Sequence, residues 1–167
     1  MNHGFRIEKL RRDHAVEDFD CGKEALNRYL IRHALQSQLA EAASTYLVME
    51  GFRVAGFYSL AVGEVAHANA PERVAKGLAR YPVPVMLLAR LAVNRDDHGR
   101  GVGAGLLMDA MARTVQVADI AGVRALVTNA KDDEARAFYE HFQFVGFPHD
   151  RYYLHLLIKD LRAAITA

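Results

Sequence analysis

Residues 87–105 read LLARLAVNRDDHGRGVGAG, and this stretch constrains the chain more than any other. Leu87, Leu88, Leu91, Ala92 and Val93 form a short, nearly continuous apolar run, the pattern of a strand covered on both faces. Polar residues 94–98 break it, and Gly99, Gly101, Gly103 and Gly105 follow. Leu106, Leu107, Ala110, Met111 and Thr114 then recur at helical spacing, so the pattern predicts strand, tight loop and helix in succession. Alternate glycines let the backbone curl and present several N–H groups in one direction, with no β-carbon in the way. A helix N-terminus behind them adds partial positive charge, which makes an anion cradle suited to a phosphate or pyrophosphate. Arg100 inside the loop and Arg95 just before it bring further charge. A plain glycine-rich turn between strand and helix stays open as the alternative.

The spacing narrows the ligand. A P-loop needs Lys and Ser or Thr directly after its last glycine, whereas Gly103 is followed by Ala104 and Gly105. The dinucleotide pattern G-x-G-x-x-G fails as well, because Ala104 and Leu106 stand where its third glycine belongs. What remains is His98-Gly99-Arg100-Gly101-Val102-Gly103, followed by Ala104. This run resembles the acetyl-CoA loop of the GCN5-related N-acetyltransferases, the GNAT family. The family usually carries Gln or Arg at the first position, so His98 is a departure.

At 167 residues the chain is expected to form one domain, residues 1–167, with a core that needs no staples. A net charge of +1 gives no overall bias toward nucleic acid, so any basic binding face must come from local placement. Cys21 is the only cysteine, which excludes an internal disulfide and suits a reducing cytoplasm. The eight histidines are scattered without a ligand pair on a convincing helix, and no metal is expected. Residues 1–12 are polar and basic, so no signal peptide is expected, and residues 83–89 are too short a run to span a membrane.

In chain order, residues 5–10 read as a first strand. A helix follows Phe19-Asp20-Cys21-Gly22, with Leu26, Tyr29, Leu30, His33 and Ala34 on one face and a pattern reaching residue 43. Strands at 44–50 and 53–65 flank Gly51-Phe52 as a hairpin with a longer turn than Asn-Gly allows, and Gly56 marks a bulge or a close backbone approach. Residues 67–81 form an excursion with one short helix at 71–78, and residues 81–84 must be extended. The helix after the glycine loop runs to about residue 121 with Gly122 as its cap. Then come a strand at 123–128, a helix at 132–141 capped by Asp132, an extended segment from Phe142, a strand at 152–158 and a polar tail. The crossover between the strands at 85–93 and 123–128 makes them parallel. The chain is therefore α/β with a mixed sheet. The GNAT fold, a central mixed β-sheet flanked by helices, has this element order, so the resemblance covers nearly the whole chain.

Residues 128–144 form a second constellation. Phe138 and Phe142, four apart on the helix, read as core anchors. Asn129 ends a strand on the edge where open α/β sheets collect ligands. Asn129 followed by Phe138-Tyr139 on the next helix resembles a GNAT segment, although Gln143-Phe144 stands where Gly-Phe is usual. Acetyl transfer to an amine needs a proton for the departing thiolate, and a phenol can donate one within hydrogen-bond reach. The resemblance makes Tyr139 that general acid. It also implies that Asn129, with Phe138, binds acetyl-CoA, that Leu91, Ala92 and Val93 pair with the pantetheine arm, and that residues 98–104 hold the pyrophosphate. No base is assigned; Glu64, His67 and His98 are the candidates.

The segments Phe19-Asp20-Cys21-Gly22, Ala55-Gly56-Phe57-Tyr58-Ser59-Leu60, Leu88-Ala89-Arg90-Leu91-Ala92-Val93 and Ala135-Arg136-Ala137-Phe138-Tyr139 resemble the GNAT toxins of toxin–antitoxin systems. That resemblance implies an acetyl-CoA-dependent enzyme that acetylates the free amine of aminoacyl-tRNA and stops translation in the cytoplasm. It further implies a ribbon-helix-helix antitoxin partner, a homodimer and no membrane. Lys76, Arg80, Arg90 and Arg95 are the candidate tRNA contacts; Arg90 stands out because it interrupts an apolar strand and so needs a partner or a function. Two rivals stay open: a GNAT enzyme for a small-molecule amine or a protein N-terminus or lysine, and a non-catalytic acetyl-CoA-binding or DNA-regulatory module.

Overall fold

The computed structural model describes residues 4–166; Met1–His3 and Ala167, the ends of the expected domain, lie outside the described residues. Among the described residues seven strands take the order β1-β2-β3-β4-β5-β7-β6. They are β1 (Phe5–Lys9), β2 (Ser44–Glu50), β3 (Arg53–Val65), β4 (Val83–Val93), β5 (Ala125–Asn129), β6 (Val145–Phe147) and β7 (Asp150–Leu157). Pairs β1/β2, β2/β3, β5/β7 and β6/β7 are antiparallel, and β4/β5 is parallel. The mixed sheet and the parallel crossover are as expected. The chain clusters into two compact units, Met1–Ala61 with Ala89–Ala110, and Val62–Leu88 with Met111–Ala167.

In the first unit, helix α1 (Glu24–Arg28), a π-helical turn (Tyr29–His33) and helix α2 (Ala34–Leu39) run as one rod. Tyr29, Leu30 and Ala34 join Leu10, Phe19, Leu47, Val54 and Phe57 in one apolar cluster. His33, expected on that face, is exposed, because the wide π turn rotates the helix phase. The rod ends at Leu39 rather than near residue 43. Glu41 adopts φ +62, and Ala42 N–H closes back on the Ser37 carbonyl at 2.9 Å, a Schellman stop. Glu50 pairs directly with Arg53, so the hairpin turn is the two residues Gly51-Phe52 and not the longer form expected; Gly51 takes φ +63. The ladder shifts register between Val48 and Met49, beside Gly56. A β-carbon on Gly56 would stand 2.9 Å from the Ala92 carbonyl oxygen, so Gly56 is also a point of close approach.

In the second unit, Val65, Val74, Val83, Val85, Ala125, Val127, Phe147 and Leu157 form the apolar cluster. The excursion holds only a 3₁₀ turn (His67–Asn69) and the four-residue helix α3 (Glu72–Ala75), shorter than the helix expected at 71–78. The chain leaves the helix at Lys76, whose ψ of 127 is extended, and Gly77 at φ +78 completes a turn in which Leu78 N–H closes on the Ala75 carbonyl at 3.0 Å. Arg124 donates to the Val74 and Lys76 carbonyls, both at 2.9 Å, and ties the excursion down. Helix α4 (Val102–Ile120) ends without help from Gly122, which does not adopt the left-handed conformation expected of a cap. The tail expected to be merely polar is helix α6 (Ile158–Thr166), anchored by the fully buried Leu161. Among the described residues no helix is long and apolar enough to cross a membrane.

Candidate active site

The glycine loop lies in the first unit. Beyond Val93, Asn94 N–H donates to the Ala55 carbonyl at 2.8 Å, and its side chain accepts from Asp96 N–H at 3.1 Å, folding residues 95–97 into a 3₁₀ turn. Gly99 and Gly101 both take φ +79, and a β-carbon on either would meet nothing within 4 Å. They are glycines for backbone shape, and the space beside their α-carbons is open. Helix α4 begins at Val102, and Gly105 N–H closes its first turn on the Gly101 carbonyl at 3.0 Å. The N–H groups of Val102, Gly103 and Ala104 therefore have no carbonyl four residues behind them within the helix. Open space, free amides and a helix N-terminus fit a pyrophosphate.

Behind the loop stands a network that sequence reading missed. Asp97 is 0% exposed; it accepts from Arg53 at 2.7 and 2.6 Å and from Arg100 at 2.6 Å. Arg100 also donates to Glu50 at 2.8 Å. Arg53 and Arg100 hold the Asp97 carboxyl below the usual range. Arg100 and Arg53 hold Glu50 down to about 2. The guanidinium of Arg100 is thus committed to carboxylates, which corrects the expectation that its charge adds to the anion cradle. Arg95 pairs with Asp20 at 3.2 Å. The signal for the network was weak because its members come from residues 50, 53, 97 and 100. Only the hairpin and the loop together make them neighbours. His98 is exposed, and its Nε2–H donates to the Val93 carbonyl at 3.2 Å, fastening loop to strand.

The strand before the loop is not covered on both faces. Leu88 and Ala92 are buried, but Ala89 is exposed and Leu91 and Val93 are only partly buried. Positions 89, 91 and 93 share one face. That face is open, which a purely structural strand of this composition would not leave so.

The second constellation lies in the second unit. The β4/β5 ladder joins Met86–Leu88 to Leu126–Thr128. Asn129 follows at the exposed end of β5, on the wall of a cavity of about 590 Å³ that Lys131, Asp133 and Tyr152 also line. Asp132 caps helix α5 (Asp133–His141), accepting from Ala135 N–H at 2.8 Å, as expected. Tyr139 is 6% exposed and packs against the rings of Phe138 at 5.2 Å and Phe144 at 5.5 Å. Burial pushes its phenol up to about 12, against a smaller opposite pull from the Thr128 hydroxyl. Thr128 itself donates to the Leu88 carbonyl at 2.9 Å. Gln143 sits at φ +73, with Phe144 N–H closing on the Tyr139 carbonyl at 3.2 Å. This is the left-handed position of a Schellman stop, the physical reason a glycine suits it.

The basic candidates part company. Arg90 lies over the Tyr29 ring at 3.7 Å. Lys76 and Arg80 line an open cavity of about 810 Å³ in the excursion, with His67, Glu72 and Tyr81. At the N-terminus Arg6 and Arg11 pair with Glu8.

Set beside known proteins, the chain is 48% identical over 150 residues to a tRNA-acetylating toxin of Mycobacterium tuberculosis, a match covering 90% of each chain. No family model matches it. Among solved structures it resembles AtaT complexed with acetyl-methionyl-tRNAfMet, with 26% identity, a TM-score of 0.88 and coverage of 95% of this chain and 98% of that one. It also resembles a mutant AtaT toxin bound to the C-terminus of the antitoxin AtaR and acetyl-CoA, with 27% identity, a TM-score of 0.83 and coverage of 98% and 99%. The fold and the glycine loop define an acetyl-CoA-dependent N-acetyltransferase of the GNAT type. Within that class, the chain belongs to the tRNA-acetylating toxins.

Proposed function

We propose that the chain transfers acetyl from acetyl-CoA to the free amine of aminoacyl-tRNA, with residues 1–167 acting as one catalytic domain. Acetyl-CoA supplies the activated acyl group; the remaining tasks fall to the chain. Backbone N–H groups of residues 98–104 hold the pyrophosphate. The main chain of residues 91–93 pairs with the pantetheine arm, and the N–H nearest the thioester carbonyl polarises it. Asn129 bonds the same arm, and Phe138 packs beside it. Tyr139 gives its proton to the sulfur as the C–S bond breaks. A phenol near 12 stays protonated at neutral pH and yields its proton only when thiolate charge develops. An α-amino group titrates near 7.7–8.0, so a useful fraction of the acceptor is already neutral. No covalent nucleophile is needed.

The observation that carries this reading is the open cradle at Gly99 and Gly101, in a chain 48% identical to a tRNA-acetylating toxin. Purified protein incubated with acetyl-CoA and charged tRNA should add one acetyl group to the aminoacyl moiety, read by mass after nuclease digestion. Unmodified aminoacyl-tRNA under conditions of full acetyl-CoA binding would overturn the reading. In cells the reading places the enzyme in the cytoplasm, as a homodimer held inactive by a ribbon-helix-helix antitoxin. Light scattering of the free and co-expressed protein tests both assemblies. Lys76, Arg80 and Arg95 are proposed to contribute only screened, sequence-independent attraction for the RNA.

A further inference from the structure

We propose that Arg90 grips a backbone phosphate at the 3′ end of the charged tRNA, so that the amine is presented beside Leu91; the inference rests on the tRNA-acetylation reading. On its face of β4, Arg90 stands between the buried Leu88 and Ala92, where an apolar residue would suit the packing. Its guanidinium carbon lies 3.7 Å from the centroid of the Tyr29 ring. Tyr29 is 8% exposed and stacks at 6.4 Å on the fully buried Phe57, and it opens the π turn of the helical rod. The platform under the guanidinium is therefore rigid.

Arg53, Arg95 and Arg100 of this unit end on carboxylates. The Arg90 side chain, among the described residues, has no hydrogen bond and no ion pair, only the ring. Stacking fixes the plane of a guanidinium while its edge keeps the N–H donors free. A half-buried cation held against a ring and left without an acceptor is a preformed anion site.

The chemistry of the substrate selects the anion. In charged tRNA the carboxyl of the amino acid is esterified, so the anion nearest the reacting amine is the phosphate of the terminal nucleotide. About eight bonds separate the two, roughly 10 Å when extended. Arg90 adjoins Leu91, whose main chain belongs to the reacting end of the site, and an arginine side chain extends about 7 Å from its Cα. The pyrophosphate of acetyl-CoA has its own cradle at residues 98–104, beyond Val93, and does not need Arg90.

The test uses the full chain, charged tRNA and acetyl-CoA over a range of salt. For R90Q, KM for charged tRNA should rise about 5–10-fold, and the plot of log kcat/KM against log salt should become shallower by about 0.7, the loss of one single-strand phosphate contact. Acetyl-CoA affinity, measured by calorimetry, should not change. R90K should restore the salt slope but only part of the affinity, because an ammonium neither stacks nor forks. It also serves as the control should R90Q melt early. An unchanged KM and slope, a loss confined to kcat, or weakened acetyl-CoA binding would each overturn the inference. Wild-type protein inactive on charged tRNA would instead overturn the reading and the inference together.

Discussion

The glycine loop and the Tyr139 segment are built by opposite physical means. The loop is a polar construction: exposed glycines in left-handed backbone, free amides, and a four-member charge network behind them. The Tyr139 segment is an apolar one: a phenol 6% exposed among aromatic rings, touched by one hydroxyl. The difference suits the tasks proposed for the two regions. Holding a pyrophosphate calls for many fixed dipoles and tolerates water nearby. Keeping a proton ready for a thiolate calls for a desolvated donor that does not ionise early. Salt, acid and mutation should therefore act on the two regions differently.

The largest effect should come from Y139F, which keeps the ring and removes the proton. Single-turnover transfer should fall roughly 10²-fold or more, about 3 kcal/mol in barrier, while acetyl-CoA binding holds. A parallel loss of binding would mean that the two regions are not functionally separable.

D97N comes next, on the other side of the comparison. It strips a fully buried carboxylate from two arginines. Because both guanidiniums reach solvent and keep Glu50, the cost should be about 2 kcal/mol, below that of breaking a wholly buried pair. Chemical denaturation measures it, and acetyl-CoA affinity should weaken with it. Full affinity in D97N would show that the cradle shapes itself without the network.

Q143G should stabilise the protein by about 1 kcal/mol by relieving a non-glycine residue at φ +73. A gain in melting temperature with transfer unchanged confirms strain; a loss would mean that the Gln143 side chain contributes more than the strain costs.

The smallest effect concerns acid. Glu50 has its folded value lowered from 4.5 to about 2, so its contribution is fully present above 4.5 and is lost as pH falls toward 2. Wild-type stability should decline through that window more steeply than that of E50Q. Tyr139 moves the other way, and no alkaline loss of transfer below about pH 10 should trace to it.

Sequence reading recovered the parallel crossover, the strand–loop–helix succession at the glycine loop, the Asp132 cap and the placing of Asn129 at the end of β5 and of Tyr139 on α5, because each leaves a local pattern. It missed α6, although Ile158, Leu161 and Ile165 recur at helical spacing within the tail. It also overextended the helix at 71–78, where the chain turns extended at Lys76 and Gly77 completes a left-handed turn. The strand at 87–93 reads as apolar throughout, yet Ala89 is exposed, since composition does not say which face lacks a neighbour.

By itself the sequence determined the shape of the loop, because glycines at alternate positions next to a helix start act through their own backbone. It also singled out Tyr139, the phenol proposed here as the proton donor, through its resemblance to a known segment. Only the tertiary structure decided where the charges went. Asp97 was one acid in a polar run until Arg53 and Arg100 closed on it, and Arg90 was one base among many until Tyr29 came beneath it. Ion pairs and stacks are made between residues far apart in the chain, and no local pattern specifies them.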